Sequence, residues 1–339
     1  MKIQLLSDLH LEANTRFVAT PAAQADLLVL AGDIGSYQRR KDASVMAEPD
    51  WGLRRFSPLP QYAGWPVPVL YVPGNHEYDA LDLDWAQRRL RQTCERLGIQ
   101  WLERQTLCVG GVRFVGSTLW SDFDALAQRA PARPRARAAR AAATVQATDA
   151  ATQPLQQREK AMRAANFYLV KMAAQRHGRL FDAQAMRVLA LECQHWLRAT
   201  LAQPFDGPTV VVTHFAPTLH SADPRYALGP ATAGFCNALD DLLPLADLWL
   251  HGHLHCPTDL QLGRCHLVAN PLGFSDKQEQ QAFLAQQVIE LRAPEFERRT
   301  TETPCTAPSL APGVSIIESE FIRPASAGPD PYRPGSATP

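Results

Sequence analysis

The chain has 339 residues, 46% of them hydrophobic, and 34 Lys plus Arg balance 34 Asp plus Glu. This length and composition fit a globular protein with one large core or two modest ones. A net charge of zero excludes a general attraction for nucleic acid or acidic membranes, so any such preference would have to be local. No apolar run approaches the roughly 20 residues needed to span a bilayer.

The first residues and the cysteines both favour a cytoplasmic location. The start, MKIQLLSDLHLE, contains an apolar run that is too short for a signal peptide, so we expect no export. Seven cysteines form an odd set without a C-x-x-C pair, which favours reduced thiols.

Short Leu-rich and Val-rich runs bounded by turn residues predict buried strands. In chain order these strands are expected at residues 2–6, 26–31, 67–72, 112–117, 209–213, 248–250, 265–269 and 283–291. Residues 82–97 and 182–201 each open with Asp and repeat apolar side chains on one face, which predicts helices. The alternation of strands and helices predicts a layered α/β fold.

Two segments break this pattern. Residues 124–163 are rich in Ala and Arg and read as an insertion, either a mobile or partly helical solvated loop or a cap that presents arginines to an anionic substrate. The arginines of its central part are Arg129, Arg133, Arg135, Arg137 and Arg140. Residues 293–339 are rich in Pro, Ser, Thr and Ala, and we expect a mostly disordered tail after a main domain of residues 1–292.

Side chains that commonly bind metals follow five of the predicted strands. They are Asp8 and His10 after residues 2–6, Asp33 after 26–31, Asn75 and His76 after 67–72, His214 after 209–213, and His253 and His255 after 248–250. Sites in open α/β sheets lie outside the carboxyl ends of strands, so these segments can converge on one crevice. Alternate residues of an extended segment point the same way, so each D-x-H or H-x-H pair can face one ion. Leu9 and Leu254 would then point back toward the core.

Without His76, which directly follows Asn75, the candidate ligands number two carboxylates, one amide and four imidazoles, without sulfur. This set suits Mn, Fe, Zn, Ni or Co better than Ca or Mg, and we favour Mn or Fe. Seven protein ligands are too many for one catalytic ion, but two ions sharing one carboxylate and a bridging hydroxide would use them. Two ions roughly 3.5 to 4 Å apart are a recurring solution for phosphoryl hydrolysis.

Individually, several of these residues have an ordinary structural explanation. Asp8 or Asp33 could cap a turn, and His10 or His214 could be a buried structural histidine. The pairs in GNHE and GHLH are more specific, because each directly follows a glycine and an apolar strand. All five motifs in this order favour a functional site.

In this order the motifs D-x-H, G-D, G-N-H-E, H and G-H-x-H resemble the signature of the calcineurin-like metallophosphoesterase superfamily. The longer segments SDLHLE, ADLLVLAGDIG, YVPGNHEY, STLWSDF, TVVVTHFAP, LWLHGHLH and ANPLGF resemble a bacterial branch of uncharacterised cytoplasmic phosphoesterases. The similarity covers about residues 1–123 and 164–292. It implies a layered sandwich of two mixed β-sheets flanked by helices, with a dinuclear metal site at the strand ends.

The resemblance also implies a role for each residue. Asp8, His10 and His255 would hold the first ion, Asn75, His214 and His253 the second, and Asp33 would bridge both. His76 would contact the phosphate and protonate the leaving group while a metal-bridging hydroxide attacks phosphorus. Glu77 would support the site or begin a helix, and His251 would be structural.

Some positions depart from related subfamilies. The chain lacks the Asp-Arg-Gly motif of the Ser/Thr protein phosphatases, and His76 stands where the UDP-diacylglucosamine hydrolases of the lipid A pathway carry Arg. Phe215 and Leu272 replace a His and an Arg that are common in the bacterial branch. One positive contact to the substrate is thereby absent, and the arginine-rich insertion could compensate for it.

These observations predict a metal-dependent phosphoester hydrolase, either a phosphodiesterase or a phosphomonoesterase, that acts on a phosphorylated small molecule. One alternative is a non-catalytic metal-binding or protein-interaction scaffold of the same fold. Another is a nuclease, which the arginines favour and the zero net charge disfavours. The physiological substrate, the native metals and the oligomeric state stay open.

Overall fold

The computed structural model describes residues 1–39, 44–127 and 146–291 of the chain. The strands are β1 (Lys2–Leu6), β2 (Leu27–Ala31), β3 (Val69–Val72), β4 (Gln100–Trp101), β5 (Gln105–Val109), β6 (Val112–Ser117), β7 (Gln175–Arg176), β8 (Arg179–Leu180), β9 (Thr209–Thr213), β10 (Leu248–His251), β11 (Thr258–Leu262), β12 (Cys265–Ala269) and β13 (Val288–Glu290). The α-helices are α1 (Leu83–Leu97), α2 (Gln146–Met172) and α3 (Ala183–Leu201). Short 3-10 helices lie at Asp50–Phe56, His76–Tyr78, Leu219–Ser221, Pro230–Gly234, Leu243–Leu245, Ser275–Lys277 and Glu279–Ala282.

The buried strands form where the apolar runs predict them. The strands β1, β6, β9 and β12 have the expected bounds, whereas β2 and β3 begin later than expected and β10 extends one residue further. Helices α1 and α3 begin one residue after the expected positions because Asp82 and Asp182 cap them. Their carboxylates accept hydrogen bonds of 2.9 Å from the backbone N–H of Trp85 and of Ala185, respectively.

The edges of the sheets differ most from the predicted strands. The strand expected at 283–291 is shorter, since only β13 pairs with β1 and Glu279–Ala282 before it is a 3-10 helix. The edge strands β5 and β11 were not predicted, because their sequences QTLCV and TDLQL are polar and largely half-buried or exposed.

The strands form two mixed sheets. The first has the order β13-β1-β2-β3-β4, with β1 to β4 parallel and β13 antiparallel. The second has the order β11-β12-β10-β9-β6-β5, with four parallel central strands and an antiparallel strand at each edge. The predicted fold of two mixed β-sheets flanked by helices is therefore confirmed.

Alternation along the strands divides the core into two parts. Ile3 and Leu5 of β1 belong to one buried cluster with Phe114 of β6 and with side chains of β9. Leu28 and Leu30 of β2 belong to a second cluster, which includes the buried faces of α1 and α3. Because the central strands of each sheet are parallel, their carboxyl ends share one edge, and this edge carries the polar residues discussed below.

The remaining expectations concern the insertion, the tail and the cysteines. Residues 146–163 of the expected insertion belong to α2, while its five central arginines and the tail at 293–339 lie outside the described residues. The described part of the chain contains no helix that is long and apolar enough to cross a membrane. Its free thiols are Cys94, Cys193, Cys236, Cys256 and Cys265, whereas Cys108 is disulfide-bonded and departs from the expected set of reduced thiols.

Candidate metal centre

The loops after β1, β2 and β10 have an unusual backbone conformation. Positive φ angles occur at Asp8 (52°), His10 (43°), Asp33 (54°), His253 (72°) and His255 (48°). L-residues rarely adopt this region, and such strain costs on the order of 1 to 3 kcal/mol and clusters at functional sites. The expected extended geometry of the D-x-H and H-x-H pairs is therefore wrong, because left-handed turns orient these side chains. Leu9 is buried as expected, but Leu254 is only partly buried.

Glycines before two of the candidate ligands permit close approach. A Cβ atom at Gly74 would lie 2.2 Å from Asp33 Oδ1, and one at Gly252 would lie 2.5 Å from Asp8 Oδ2. Both distances are far inside van der Waals contact. Any larger residue at either position would displace a carboxylate of the site.

A first group of candidate ligands consists of Asp8, His10 and His255, whose ligand atoms all lie within 4.8 Å of one another. The Nε2 atoms of His10 and His255 are 3.0 Å apart, and His255 Nε2 is 3.4 Å from Asp8 Oδ1. Two imidazole nitrogens at this distance repel each other unless a proton or a cation lies between them. The geometry is thus compatible with a cation bound between these side chains.

A second group consists of Asp33, His214 and His253, with ligand atoms again within 4.8 Å of one another. His214 Nε2 is 3.2 Å from Asp33 Oδ2 and 3.2 Å from the side-chain oxygen of Asn75. On its other side, His214 Nδ1 donates to the backbone carbonyl of Ala31 at 2.9 Å. Asn75 therefore lies beside this group, as the sequence predicts.

Asp33 lies between the two groups. Its Oδ2 atom is 3.2 Å from His214 Nε2 in the second group and 3.9 Å from His10 Nε2 in the first. Its Oδ1 atom accepts a hydrogen bond of 2.8 Å from the backbone N–H of His76. The structure thus brings all seven predicted ligands together, with one carboxylate oxygen facing both groups.

Two buried polar atoms of this cluster have no hydrogen-bond partner within the described residues: Asp33 Oδ2 and His253 Nε2. An unpaired buried polar group costs about 1 to 3 kcal/mol, and more when it is charged. A bound cation would satisfy both atoms. Oxygen and imidazole donors without sulfur suit divalent transition metals, so the residues present fit divalent metal ions.

Both acidic residues of the cluster favour the ionised state. Burial raises the pKa of Asp8, but the hydrogen bond and the charge of His255 outweigh it and lower that pKa to about 2. Burial likewise opposes ionisation of Asp33, and the neighbouring His214 and His76 hold its pKa well below the usual range. Near neutral pH both side chains are carboxylates that can bind a cation.

His76 lies at the edge of the cluster with a carboxylate behind it. Its Nδ1 is 2.5 Å from Asp79 Oδ2, and the hydroxyl of Ser36 donates to the same oxygen at 3.1 Å. Burial lowers the pKa of His76, but the carboxylates of Asp79 and Asp33 raise it well above its ordinary value. Its side chain is 17% exposed, whereas that of Asp79 is buried. Because Asp79 engages Nδ1, the Nε2 atom is the one available to another molecule.

The ring of His76 is also 4.9 Å from that of His10, and together with His10 and Asp33 it forms a third group of potential ligands. Its position is therefore compatible with contact to an ion as well as to a substrate. The hydrogen bond from His76 to Asp79 and the partial exposure of the His76 side chain favour contact with a substrate over contact with an ion.

Glu77 and His251 support the site without joining any group of potential ligands. The Glu77 carboxylate accepts hydrogen bonds from the backbone N–H groups of Asp33 (3.1 Å), Ile34 (2.7 Å) and Gly74 (2.8 Å), and so ties two loops together. His251 is buried, and its Nε2 accepts from the hydroxyl of Ser221 at 3.0 Å. Burial lowers the pKa of His251 to about 4, so it is a neutral structural residue.

Three carboxylates behind the histidines were missed at the level of sequence. Asp79 backs His76, Glu12 lies 3.2 Å from His10 Nδ1, and Glu279 lies 2.6 Å from His255 Nδ1. The spacing of Asp79 three residues after His76, and of Glu12 two residues after His10, would have been a signal. Glu279 lies in the polar stretch SDKQEQQ, which contains no comparable pattern.

Of the two positions that differ from the bacterial branch, Phe215 places an apolar ring beside the site and Leu272 belongs to the hydrophobic core. The Phe215 ring lies 3.9 Å from that of His253, measured between centroids, and Leu272 is buried. Neither provides the positive or polar group that the bacterial branch often has there.

The chain was compared with known families, curated proteins and solved structures. Residues 1–133 match the calcineurin-like phosphoesterase family. The structure is similar to that of phosphopantetheinyl hydrolase from Mycobacterium tuberculosis, with a TM-score of 0.58 and 18% identity over 91% of this chain and 98% of that chain. A putative 5'-nucleotidase from Staphylococcus aureus gives a TM-score of 0.38 and 14% identity, covering 80% of this chain and 48% of that chain. No curated protein matches the sequence.

The two-sheet α/β fold, the His and Asp groups at its strand ends and the family match together indicate a hydrolase with a metal-binding site. Residues 1–133 are therefore similar to the calcineurin-like phosphoesterases, and this match together with the fold indicates a hydrolase of phosphoric ester bonds.

Proposed function

We propose that the protein hydrolyses phosphoesters of small molecules with two divalent metal ions. Asp8, His10 and His255 hold the first ion, and Asn75, His214 and His253 hold the second, while Asp33 bridges both. The observation that carries this proposal is Asp33 Oδ2, a buried oxygen without a hydrogen-bond partner in the described chain that faces both groups of histidines. A single ion would leave one of these groups without a cation.

The side chains of the site hold the substrate's phosphoryl group and move one proton. Two bound divalent ions supply an oxygen nucleophile near neutral pH and positive charge at the phosphoryl oxygens. Asp79 holds His76 by Nδ1, so that Nε2 can donate a proton to the departing oxygen of the substrate. Asn75 adds an amide oxygen beside His214. We therefore assign His76, Asn75 and Asp33 to the catalytic machinery.

The proposal includes both phosphomonoesters and phosphodiesters as possible substrates. The fold neighbour named phosphopantetheinyl hydrolase makes a phosphopantetheinyl ester one candidate to test. Manganese or iron are the metals that we favour for this mixed oxygen and nitrogen donor set. The cytoplasmic location expected from the sequence belongs to the same proposal.

Elemental analysis of the purified protein, followed by a substrate screen with added Mn, tests the proposal. The screen includes aryl mono- and diesters, cyclic nucleotides, nucleotide sugars and a phosphopantetheinyl ester. We expect two ions per chain and hydrolysis of at least one class, which Asp33→Asn abolishes. Two bound ions without hydrolysis of any compound would instead favour the metal-binding scaffold.

A further inference from the structure

The two groups of candidate ligands differ in the hydrogen-bond acceptors that the Nδ1 atoms of their histidines contact. In the first group, His10 Nδ1 donates to Glu12 Oε1 at 3.2 Å and His255 Nδ1 donates to Glu279 Oε2 at 2.6 Å. Donation from Nδ1 leaves the lone pair of Nε2 for an ion, and a carboxylate partner makes the imidazole a stronger ligand. Both histidines of this group are thus fixed in the ligand tautomer.

Glu279 is itself held in place by the loop that follows β12. The backbone N–H of Phe274 donates to Glu279 Oε2 at 2.8 Å, the same oxygen that accepts from His255. A Cβ atom at residue 273 would lie 2.7 Å from Glu279 Cβ, so Gly273 permits this approach. The Phe274 ring also stacks on His10, with 4.2 Å between ring centroids. The loop at 273–279 therefore packs on the first group.

The imidazoles of the second group are backed by a carbonyl and by aromatic rings, while the Asp8 carboxylate accepts from the backbone N–H of His253 at 2.9 and 3.1 Å. His214 Nδ1 donates to the carbonyl of Ala31, and the rings of Phe215 and Phe235 lie 3.9 and 5.3 Å from His253, between centroids. Within the described residues, neither ring of this group contacts a carboxylate other than that of Asp33. The first position therefore adds the candidate ligand Asp8 to the shared Asp33 and has Glu12 and Glu279 behind its histidines. The second adds the neutral amide of Asn75 and has the Asp8 carboxylate at the backbone of His253 rather than behind an imidazole.

We infer that Glu12 and Glu279 are positioning residues that give the first ion position the higher affinity, so that the protein takes up its two ions in order. The inference rests on the ligand assignment proposed above. Partners of this kind typically change metal affinity by roughly 10- to 100-fold. We therefore expect the two dissociation constants to differ by at least about tenfold.

Calorimetric titration of the metal-free protein with Mn tests this order without any measurement of activity. Wild type should show two resolved events. Glu279→Gln keeps the size and an acceptor oxygen but removes the charge, and it should weaken the tighter event by roughly 10- to 100-fold while the weaker event stays unchanged. Asp276→Asn, which removes an exposed carboxylate from the same loop, is the matched control and should change neither event.

Two variants that each lack one metal ligand show which binding event belongs to which ion position. In Asn75→Ala the remaining ion is the first, and adding Glu279→Gln should weaken it. In His10→Ala the remaining ion is the second, and adding Glu279→Gln should leave it unchanged. Equal melting temperatures of the metal-free variants establish that Glu279→Gln folds normally.

Two equal binding events in wild type, or an equal loss at both positions in Glu279→Gln, would overturn the inference. So would a normal tight event in a Glu279→Gln protein that folds normally. A protein that binds its ions in this order and hydrolyses no phosphoester would refute the proposed function alone.

Discussion

The site contains two regions that differ in burial and in their neighbours. The ligand groups are largely buried, with Asp33 1% and His255 12% exposed, and their polar atoms face one another. The pair of His76 and Asp79 lies beside them, and the His76 side chain is 17% exposed. The difference indicates that holding ions and transferring a proton are tasks of separate residues. Variants should therefore be able to remove one task without the other.

The largest effect is expected from Asp33→Asn, because this carboxylate faces both groups. Loss of its charge should lower the affinity for both ions by more than about 100-fold, since changes of outer partners already cost roughly 10- to 100-fold. The rate of phosphoester hydrolysis should fall as fewer metal ions remain bound to the variant. Elemental analysis after dialysis measures the ions that remain per chain.

Asp259→Asn is the matched control, because Asp259 is 71% exposed and pairs only with His266 in the described structure. The Asp259→Asn protein should still bind two metal ions per chain. An Asp33→Asn protein that still carries two tightly bound ions would contradict the bridging assignment.

The second largest effect is expected from His76→Ala, which tests directly whether metal binding and proton transfer are tasks of separate residues. His76→Ala should keep both ions but slow the hydrolysis of alkyl esters by about 100-fold or more, the usual contribution of a general acid. Activated aryl esters need no proton on the leaving oxygen, so their rate should change much less. Steady-state kinetics on matched alkyl and aryl substrates, with elemental analysis, measure both effects.

His177→Ala removes a histidine that is 77% exposed in the β7–β8 hairpin and should alter neither quantity. Equal losses on both types of substrate would argue against proton donation. A loss of one ion would instead make His76 a ligand, as its place in the third group of potential ligands allows.

A smaller effect is expected from Asp79→Asn, which keeps an acceptor for His76 Nδ1 but removes the charge. Hydrogen bonds to charged groups contribute about 1.5 to 3 kcal/mol, so the rate on alkyl esters should fall about tenfold or more. Asp79 acts only through His76, so the double variant with His76→Ala should be no slower than His76→Ala alone. Additive losses would show that Asp79 has an independent role. Asp82→Asn, which preserves the cap of α1, is the control.

The buried strands and the ligands could be read from the sequence for the same physical reason. Strands such as β9, TVVVT, are covered on both faces and must be continuously apolar, so the polar residue that follows each one stands out. The edge strand β11, TDLQL, is largely exposed, so its polar residues interrupt the apolar run that would predict a strand. The sequence signal for a strand therefore follows the burial of that strand.

The groups behind the ligands could be predicted only in part. Asp79 and Glu12 lie within one turn of the histidines they contact, so local spacing carries the information. Glu279 reaches His255 across 24 residues because Gly273 and Phe274 fold the intervening loop back onto it. The positive φ angles at Asp8 and His253 were equally hidden, because tertiary contacts rather than local preference enforce them.

The smallest expected effect is that of Ser36→Ala. The Ser36 hydroxyl donates to Asp79 Oδ2 at 3.1 Å, the oxygen that also contacts His76, so its loss removes one of two bonds that hold this carboxylate. A neutral hydrogen bond contributes about 0.5 to 1.5 kcal/mol, so the rate on alkyl esters should fall only about two- to tenfold, with both ions retained. The aryl rate should not change. A Ser36→Ala protein that loses metal would instead show that the two regions of the site are coupled through the loop after β2.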